Sequence, residues 1–157
     1  MLGFLRPAPD SQLEDLRALS LFADLSAREL KIVQGVLHER EYLAGEVIFD
    51  EGEDGNALYI VRTGRVLICR QGRPDSAIAE LAAGSFFGEL ALLDSAPRAA
   101  QARALEPCRL AVFFGSDFLS LLDTEAKVAN RILLQLSRHL GRRLRGAVLG
   151  QSTEQHL

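Results

Sequence analysis

The sequence predicts a mainly β fold of the α+β class, a β-sandwich or jelly roll flanked by helices. Helical spacing of apolar residues runs from Ser11 to Leu37, short runs rich in Val, Ile, Tyr and Phe follow His38, and helical spacing returns from Ser116. Many short strands at regular spacing are typical of sandwiches and jelly rolls. The length of 157 residues, 48% hydrophobic and 25% charged, suits one globular domain.

Two short helices are expected before the strands. Leu13, Leu16 and Leu19 share one helical face, and Leu30 and Val33 continue the spacing. Ser26 stands where an N-cap would open the second helix.

Six strands are expected between these helices and residue 116, and glycine-containing turns separate them. The predicted strands are Val47–Phe49, Leu58–Val61, Val66–Cys69, Ile78–Leu81, Ala100–Ala104 and Arg109–Phe113.

Helix returns at the C-terminal end. Ser116 and Asp117 are placed to cap a helix over Phe118–Leu122, and Thr124 with Glu125 is placed to open a longer helix that runs to Leu149. One stripe of the long helix is apolar: Ile132, Leu136, Leu140, Leu144 and Val148. It either packs on the β-roll or forms a coiled-coil-like homodimer seam, and both can hold.

Bulk properties exclude several classes of function. The net charge of −3 argues against general binding of nucleic acid or anionic membranes. No apolar run reaches the roughly 18 residues of a membrane span, and the segment MLGFLRPAPD lacks the pattern of a signal peptide, so we expect a cytoplasmic protein. Cys69 and Cys108 lie in apolar contexts and are expected to be buried thiols.

Charged and nucleophilic residues offer no enzyme motif. His38, His139 and His156 are scattered, as expected of surface histidines, and Ser85 stands one place early for a nucleophile elbow. We therefore expect no enzyme, no metal and no cofactor. The arginines near the end of the long helix are interpreted as complements of its dipole rather than as a DNA patch: Arg138, Arg142, Arg143 and Arg145.

The stretch FFGELALLDSAPRAA, residues 86–100, carries a lone Glu89 and a lone Arg98 among small and apolar residues. Buried charges need a protein partner or a polar ligand. Arg98 offers two parallel donors that suit phosphate oxygens, and an ionised Glu89 suits a hydroxyl donor such as a ribose 2′-OH. The alternative is that Glu89 and Arg98 pair with each other or with turn residues.

The segment FGELALLDSAPRAA resembles the phosphate-binding cassette of the cyclic nucleotide-binding domain family, found in the regulatory subunit of cAMP-dependent protein kinase and in catabolite activator proteins. The resemblance extends to Leu21-Phe22, to Leu25-Ser26 and to the stretch GEDGNALYIV, and it covers roughly residues 15–149. It implies a double-stranded β-helix (jelly roll) with two short N-terminal helices, a short cassette helix and a long C-terminal helix. The implied layout is an N-terminal extension over 1–14, the domain over 15–149 with its β-roll at 38–114 and its C-terminal helices at 116–149, and a frayed tail over 150–157.

The resemblance assigns Arg98 to the exocyclic phosphate and Glu89 to the ribose 2′-OH. It also implies backbone or wall contacts from a further set of cassette residues: Gly88, Leu90, Ala91, Ala99 and Ala100. Relatives that prefer cGMP often have Thr or Ser where this chain has Ala99, which favours cAMP and leaves cGMP open. An acidic residue that supports the arginine in some relatives falls at Asn56. Alignment of the C-terminal helix gives the candidate base lid: Leu144, Ala147 and Val148.

By this resemblance the chain is a cyclic-nucleotide sensor that signals through its C-terminal helix to an unknown effector protein or a homodimer. Transcription factors of the family carry a helix-turn-helix domain after that helix, so a chain ending at Leu157 is expected to be a stand-alone sensor without direct DNA binding. The alternative is a structural or scaffold module whose pocket is vestigial or repurposed, for example for a cyclic dinucleotide.

Overall fold

The computed structural model describes residues 9–70 and 72–149. Its helices are α1 (Pro9–Arg17), α2 (Ala27–Val36), α3 (Gly115–Thr124) and α4 (Ala126–Leu149). Its strands are β1 (His38–Tyr42), β2 (Val47–Phe49), β3 (Ala57–Thr63), β4 (Val66–Cys69), β5 (Ala77–Leu81), β6 (Phe86–Phe87), β7 (Gln101–Ala104) and β8 (Cys108–Phe114). Short 3₁₀ helices span Ser20–Phe22, Pro74–Ser76 and Glu89–Leu92.

The strands of the described chain form two antiparallel four-stranded sheets, with the orders β1-β8-β3-β6 and β2-β7-β4-β5. Neighbours in a sheet are often distant in sequence, as in the pairing of Leu58 with Phe113. Two facing sheets with such crossovers match the predicted jelly roll.

Strand β3 lies at the centre and is buried on both faces. Leu58 and Ile60 pack with the helices, whereas Tyr59 and Val61 point between the two sheets. This double burial explains the unbroken apolar run from Ala57 to Val61, in which polar and apolar residues do not alternate.

The long helix α4 packs on this framework along its first half. Ile132 and Leu136 are fully buried, Leu140 is partly buried against the same core, and Leu144 and Val148 are 68% and 58% exposed. The N-terminal half of the predicted stripe therefore packs on the domain, and its C-terminal half faces solvent.

Of the three helix caps that the sequence predicts, the structure contains one and lacks two. Ser26 caps α2, accepting from the N–H of Glu29 at 3.2 Å while the Glu29 carboxylate accepts from the N–H of Ser26 at 3.0 Å. The predicted cap at Ser116 and Asp117 is wrong, because α3 begins at Gly115 directly after β8. Thr124 does not open α4, since it ends α3 and its hydroxyl donates to the Ser120 carbonyl at 2.8 Å.

All six predicted strands are present within one or two residues of their expected ends. The sequence did not predict β1 or β6. Strand β1 reads HEREY and is largely exposed, so it lacks an apolar pattern, and β6 has only two residues.

At the N-terminal end, α1 begins at Pro9, inside the expected extension, and Leu16 is fully buried. The domain boundaries stay a prediction, and the expected tail over 150–157 lies outside the described residues. Cys69 and Cys108 are buried free thiols, as expected, and burial raises the pKa of each. None of the described helices has both the length and the apolarity that a membrane crossing needs.

Candidate ligand-binding site

Gly88 links the end of β6 to the segment that leads to β7. Gly88 has a φ of +72° and precedes the cassette helix, the 3₁₀ helix Glu89–Leu92. A Cβ on Gly88 would lie 2.6 Å from Nη1 of Arg98. Both the left-handed backbone and the close approach of the arginine therefore require glycine here.

The backbone of Arg98 is held by the loop that follows β2. Its N–H donates to the Glu53 carbonyl at 2.7 Å, and its carbonyl accepts from the N–H of Gly52 at 2.8 Å. An isolated β-bridge joins Asp54 to Pro97 one residue earlier. These bonds fix the position of the Arg98 backbone and therefore of its Cα.

The Arg98 side chain is 9% exposed and is directed by backbone carbonyls. Nη2 donates to the Ala57 carbonyl at 2.7 Å and Nη1 to the Gly88 carbonyl at 3.3 Å, while the buried Nε has no hydrogen-bond partner among the described residues. Burial lowers the pKa of the guanidinium. A buried cation with an unused donor is suited to binding an anion.

Glu89 is 5% exposed and points towards helix α4. Its carboxylate forms an ion pair with Arg143 and lies 3.8 Å from Nε2 of His139. The His139 ring packs on Phe86 with a centroid distance of 4.6 Å. Burial lowers the pKa of His139, Glu89 acts in the opposite direction, and Arg143 adds to the lowering.

Glu89 and Arg98 do not pair with each other within the described part of the chain, so that form of the alternative considered from sequence is wrong. Its other form, pairing with turn residues, is not contradicted, because Arg98 donates to the Gly88 carbonyl. Each has its own protein contacts, and both side chains line one cavity of about 390 Å³. That volume is in the range of small-molecule sites. The cavity therefore offers a cationic donor and a carboxylate acceptor to a single ligand.

Comparison with known proteins decides the family. The model described as the cyclic nucleotide-binding domain matches residues 39–125, which is more than half of the chain. The chain belongs to the cyclic nucleotide-binding domain family. The resemblance and the fold predicted from the sequence are confirmed.

Relatives of this cyclic nucleotide-binding domain include receptors and kinase subunits. A cyclic AMP receptor protein of Thermus thermophilus is 34% identical over 127 residues, which are 80% of this chain and 59% of that protein. A cAMP-dependent protein kinase regulatory subunit of Mycosarcoma maydis is 37% identical over 123 residues, 74% of this chain and 23% of that protein. The chain thus spans less than two thirds of the length of either relative.

A solved cyclic nucleotide-binding domain from Methylobacillus flagellatus superposes with a TM-score of 0.79 at 25% identity, covering 94% of this chain and 88% of that one. The shared fold therefore includes the helices as well as the β-roll.

The structure brings together the seven cassette residues that the sequence singled out around the cavity of this cyclic nucleotide-binding domain: Gly88, Glu89, Leu90, Ala91, Arg98, Ala99 and Ala100. The lid candidates Leu144, Ala147 and Val148 are exposed and do not line it. Their role as a base lid stays a prediction.

Helix α4 instead contributes His139 and Arg143 to the cavity. His139 is not the surface histidine expected from sequence, and Arg143 is not simply a solvated complement of the helix dipole, because it pairs with Glu89. Their spacing of four residues, which places both on one helical face, was a signal that could have identified them. In the described chain, no three His, Cys, Asp or Glu side chains form a metal-binding group.

Proposed function

We propose that the chain is a cyclic-nucleotide receptor that binds cAMP in preference to cGMP, transmits occupancy through helix α4 and catalyses no reaction. The observation that carries this proposal is that Glu89, from the 3₁₀ helix Glu89–Leu92, and Arg98, from the irregular segment after it, converge on one cavity. A cyclic nucleotide presents an anionic phosphate and a ribose hydroxyl side by side, which are the groups that these two side chains are suited to bind.

Arg98 is proposed to bind the exocyclic phosphate oxygens. Hydrogen bonds to the carbonyls of Ala57 and Gly88 orient the guanidinium, and the Nε–H, which has no partner among the described residues, would remain for the ligand. Because the arginine is already ordered, little side-chain entropy would be lost on binding. Leu90, Ala91, Ala99 and Ala100 would supply the walls, and the small Ala99 leaves guanine without a hydroxyl partner there.

Glu89 is proposed to accept a hydrogen bond from the ribose 2′-OH. Its carboxylate already contacts Arg143, so ligand binding would change the interaction between the cassette helix and α4. A ligand shifts such an equilibrium only by its differential affinity for the two arrangements. Movement of the last turns of α4 is also what would bring Leu144, Ala147 and Val148 over the base.

Output is proposed to reach an effector protein or a second copy of the chain through the exposed half of the α4 stripe. Relatives named as a cyclic AMP receptor protein and as kinase regulatory subunits are consistent with a regulatory role. We also propose that the protein acts in the cytoplasm.

The proposal is tested by isothermal titration with cAMP, cGMP, 2′-deoxy-cAMP and a cyclic dinucleotide. We expect cAMP to bind most tightly and Arg98→Lys to lose most of the affinity, because Lys cannot provide two parallel donors. Removing the 2′-OH should weaken binding by about tenfold or more, since hydrogen bonds to charged groups contribute roughly 1.5–3 kcal/mol. Glu89→Gln should reduce that discrimination.

Thermal unfolding of each variant provides the control for folding. A folded wild-type protein that binds no mononucleotide would contradict the receptor function. Binding of the cyclic dinucleotide alone would instead support the repurposed pocket.

A further inference from the structure

The ring of Phe49, at the end of β2, lies beneath the guanidinium carbon of Arg98. The Arg98 Cζ is 4.2 Å from the centroid of the Phe49 ring and 5.8 Å from that of Tyr59. A cation this close to an aromatic face is attracted by the ring quadrupole, and more strongly when both are shielded from water. Phe49 is 8% exposed and Arg98 is 9% exposed, so the contact is largely dry.

The Phe49 ring is held in place by its surroundings. It packs on Tyr59 and Phe87 at centroid distances of 5.7 and 5.8 Å, and those two rings stack on each other at 5.4 Å. The register between β2 and β7 shifts between Val47 and Phe49, an irregularity of the kind that re-aims a side chain. Phe49 is thereby directed into the space between the sheets.

The strand end that carries Phe49 is also clamped. Asp50 accepts a hydrogen bond from Nε2 of the buried Gln101 at 3.0 Å. Two residues further on, Gly52 donates to the Arg98 carbonyl. One segment, 49–52, thus holds both the backbone and the guanidinium of Arg98.

Arg98 has no carboxylate within ion-pair distance among residues 9–70 and 72–149. Its contacts are carbonyl oxygens and aromatic faces, which orient the cation but carry no full negative charge. A carboxylate partner would compete with an incoming phosphate for the same donors. A ring does not, because it attracts the cation without accepting a hydrogen bond from it, so the N–H groups that do not bond to Ala57 and Gly88 stay available.

We propose that Phe49 is a positioning residue for Arg98, an inference that rests on the nucleotide-binding function proposed above. Its ring holds the guanidinium with its remaining N–H donors towards the phosphate subsite and takes the place of a carboxylate partner. Phe49 acts through Arg98, and the role requires its aromatic face rather than its bulk.

The test compares Phe49→Leu with Phe113→Leu. Both changes truncate a buried Phe. Phe113 packs with the helices rather than between the two sheets and does not line the cavity, so Phe113→Leu controls for loss of packing. We expect cAMP affinity to fall by about tenfold in Phe49→Leu, a loss that lies between the values for exposed and for desolvated cation–π contacts. Phe113→Leu should change it by less than about threefold. Replacing Phe49 with 3,4,5-trifluorophenylalanine keeps the shape but weakens the quadrupole, and should lower affinity in the same direction.

A second readout needs no nucleotide. In the ligand-free wild type, the Arg98 side-chain N–H resonances should be shifted upfield by the Phe49 ring current, and the shift should vanish in Phe49→Leu. Unshifted resonances in the wild type would overturn the inference, as would unchanged cAMP affinity in both Phe49 variants. If the shift is present but the wild type binds no nucleotide, the receptor function fails while the placement of Arg98 by Phe49 stands.

Discussion

Glu89 of the cassette helix and Arg143 of α4 form an ion pair that joins two parts of the domain 54 residues apart in sequence. The Glu89 side chain is 6% exposed and that of Arg143 is 32% exposed. The carboxylate expected to bind the ribose is therefore also the contact between the candidate site and the helix expected to carry the signal.

Arg143→Ala should destabilise the fold because it leaves a buried carboxylate with a weaker set of partners. We expect the free energy of unfolding to fall by about 1–2 kcal/mol, less than for a fully buried pair because Arg143 is partly solvated. Chemical denaturation measures this. Arg142→Ala is the matched control on the exposed face and should change stability by less than about 0.5 kcal/mol. Equal effects of the two changes would contradict a structural role for the pair.

Gly88→Ala should impair both folding and ligand binding. The new Cβ would meet Arg98 at 2.6 Å and would stand on a residue with a φ of +72°, so we expect a loss of about 1–3 kcal/mol together with displacement of the guanidinium. Denaturation and cAMP titration report the two effects.

Gly141→Ala provides the opposite expectation, because nothing lies within 4 Å of a Cβ there and the residue is inside α4. It should stabilise the protein by about 0.5–1 kcal/mol. A Gly88→Ala protein as stable as the wild type and binding cAMP normally would contradict the geometry of the cassette.

The cassette could be predicted from sequence because its determinants are contiguous. Gly88, Glu89 and Arg98 lie in one short segment, and the fixed backbone at Gly88 and Pro97 limits how that segment can fold. The contributions of His139, Arg143 and Phe49 depend on contacts between distant elements. The way α4 packs on the β-roll places His139 and Arg143 at the cavity. The irregular pairing of β2 with β7 directs the side chain of Phe49.

The strands, too, could be predicted only where their own sequence carries a pattern of burial. Interior strands such as β4 are apolar along their whole length and were predicted, whereas β1 pairs through its backbone with β8 and exposes nearly all of its side chains. The sequence of β1, HEREY, has no alternation of apolar and polar residues from which a strand could be predicted.

The exposed end of the α4 stripe predicts a surface for homodimerisation. Leu144 and Val148 are largely exposed, whereas Leu136 on the same stripe is fully buried. Leu144→Glu with Val148→Glu should convert a dimer into a monomer in light scattering at micromolar concentration, with little loss of monomer stability. Leu136→Ala should instead cost about 2–5 kcal/mol of stability, since it leaves a cavity in the core. A wild-type protein that is monomeric at that concentration would contradict the seam.

His139 predicts a pH dependence of stability below neutral pH. Burial is the largest influence on its pKa and lowers it from 6.5, so the folded protein favours the neutral imidazole more than the unfolded chain does. The unfolded chain therefore binds more protons in this range, and stability must fall as the pH drops from about 7 through 6.5 towards the lower pKa of the folded state.

His139→Gln should remove that part of the pH dependence. The difference in unfolding free energy between wild type and His139→Gln should be constant above about pH 7. Below about pH 6.5 the wild type should lose stability relative to His139→Gln. His38→Gln is the control, because the His38 side chain is 58% exposed and lies outside the cavity. Parallel profiles for the wild type and His139→Gln between pH 5 and 7 would show that His139 is not held neutral by burial beside Glu89 and Arg143.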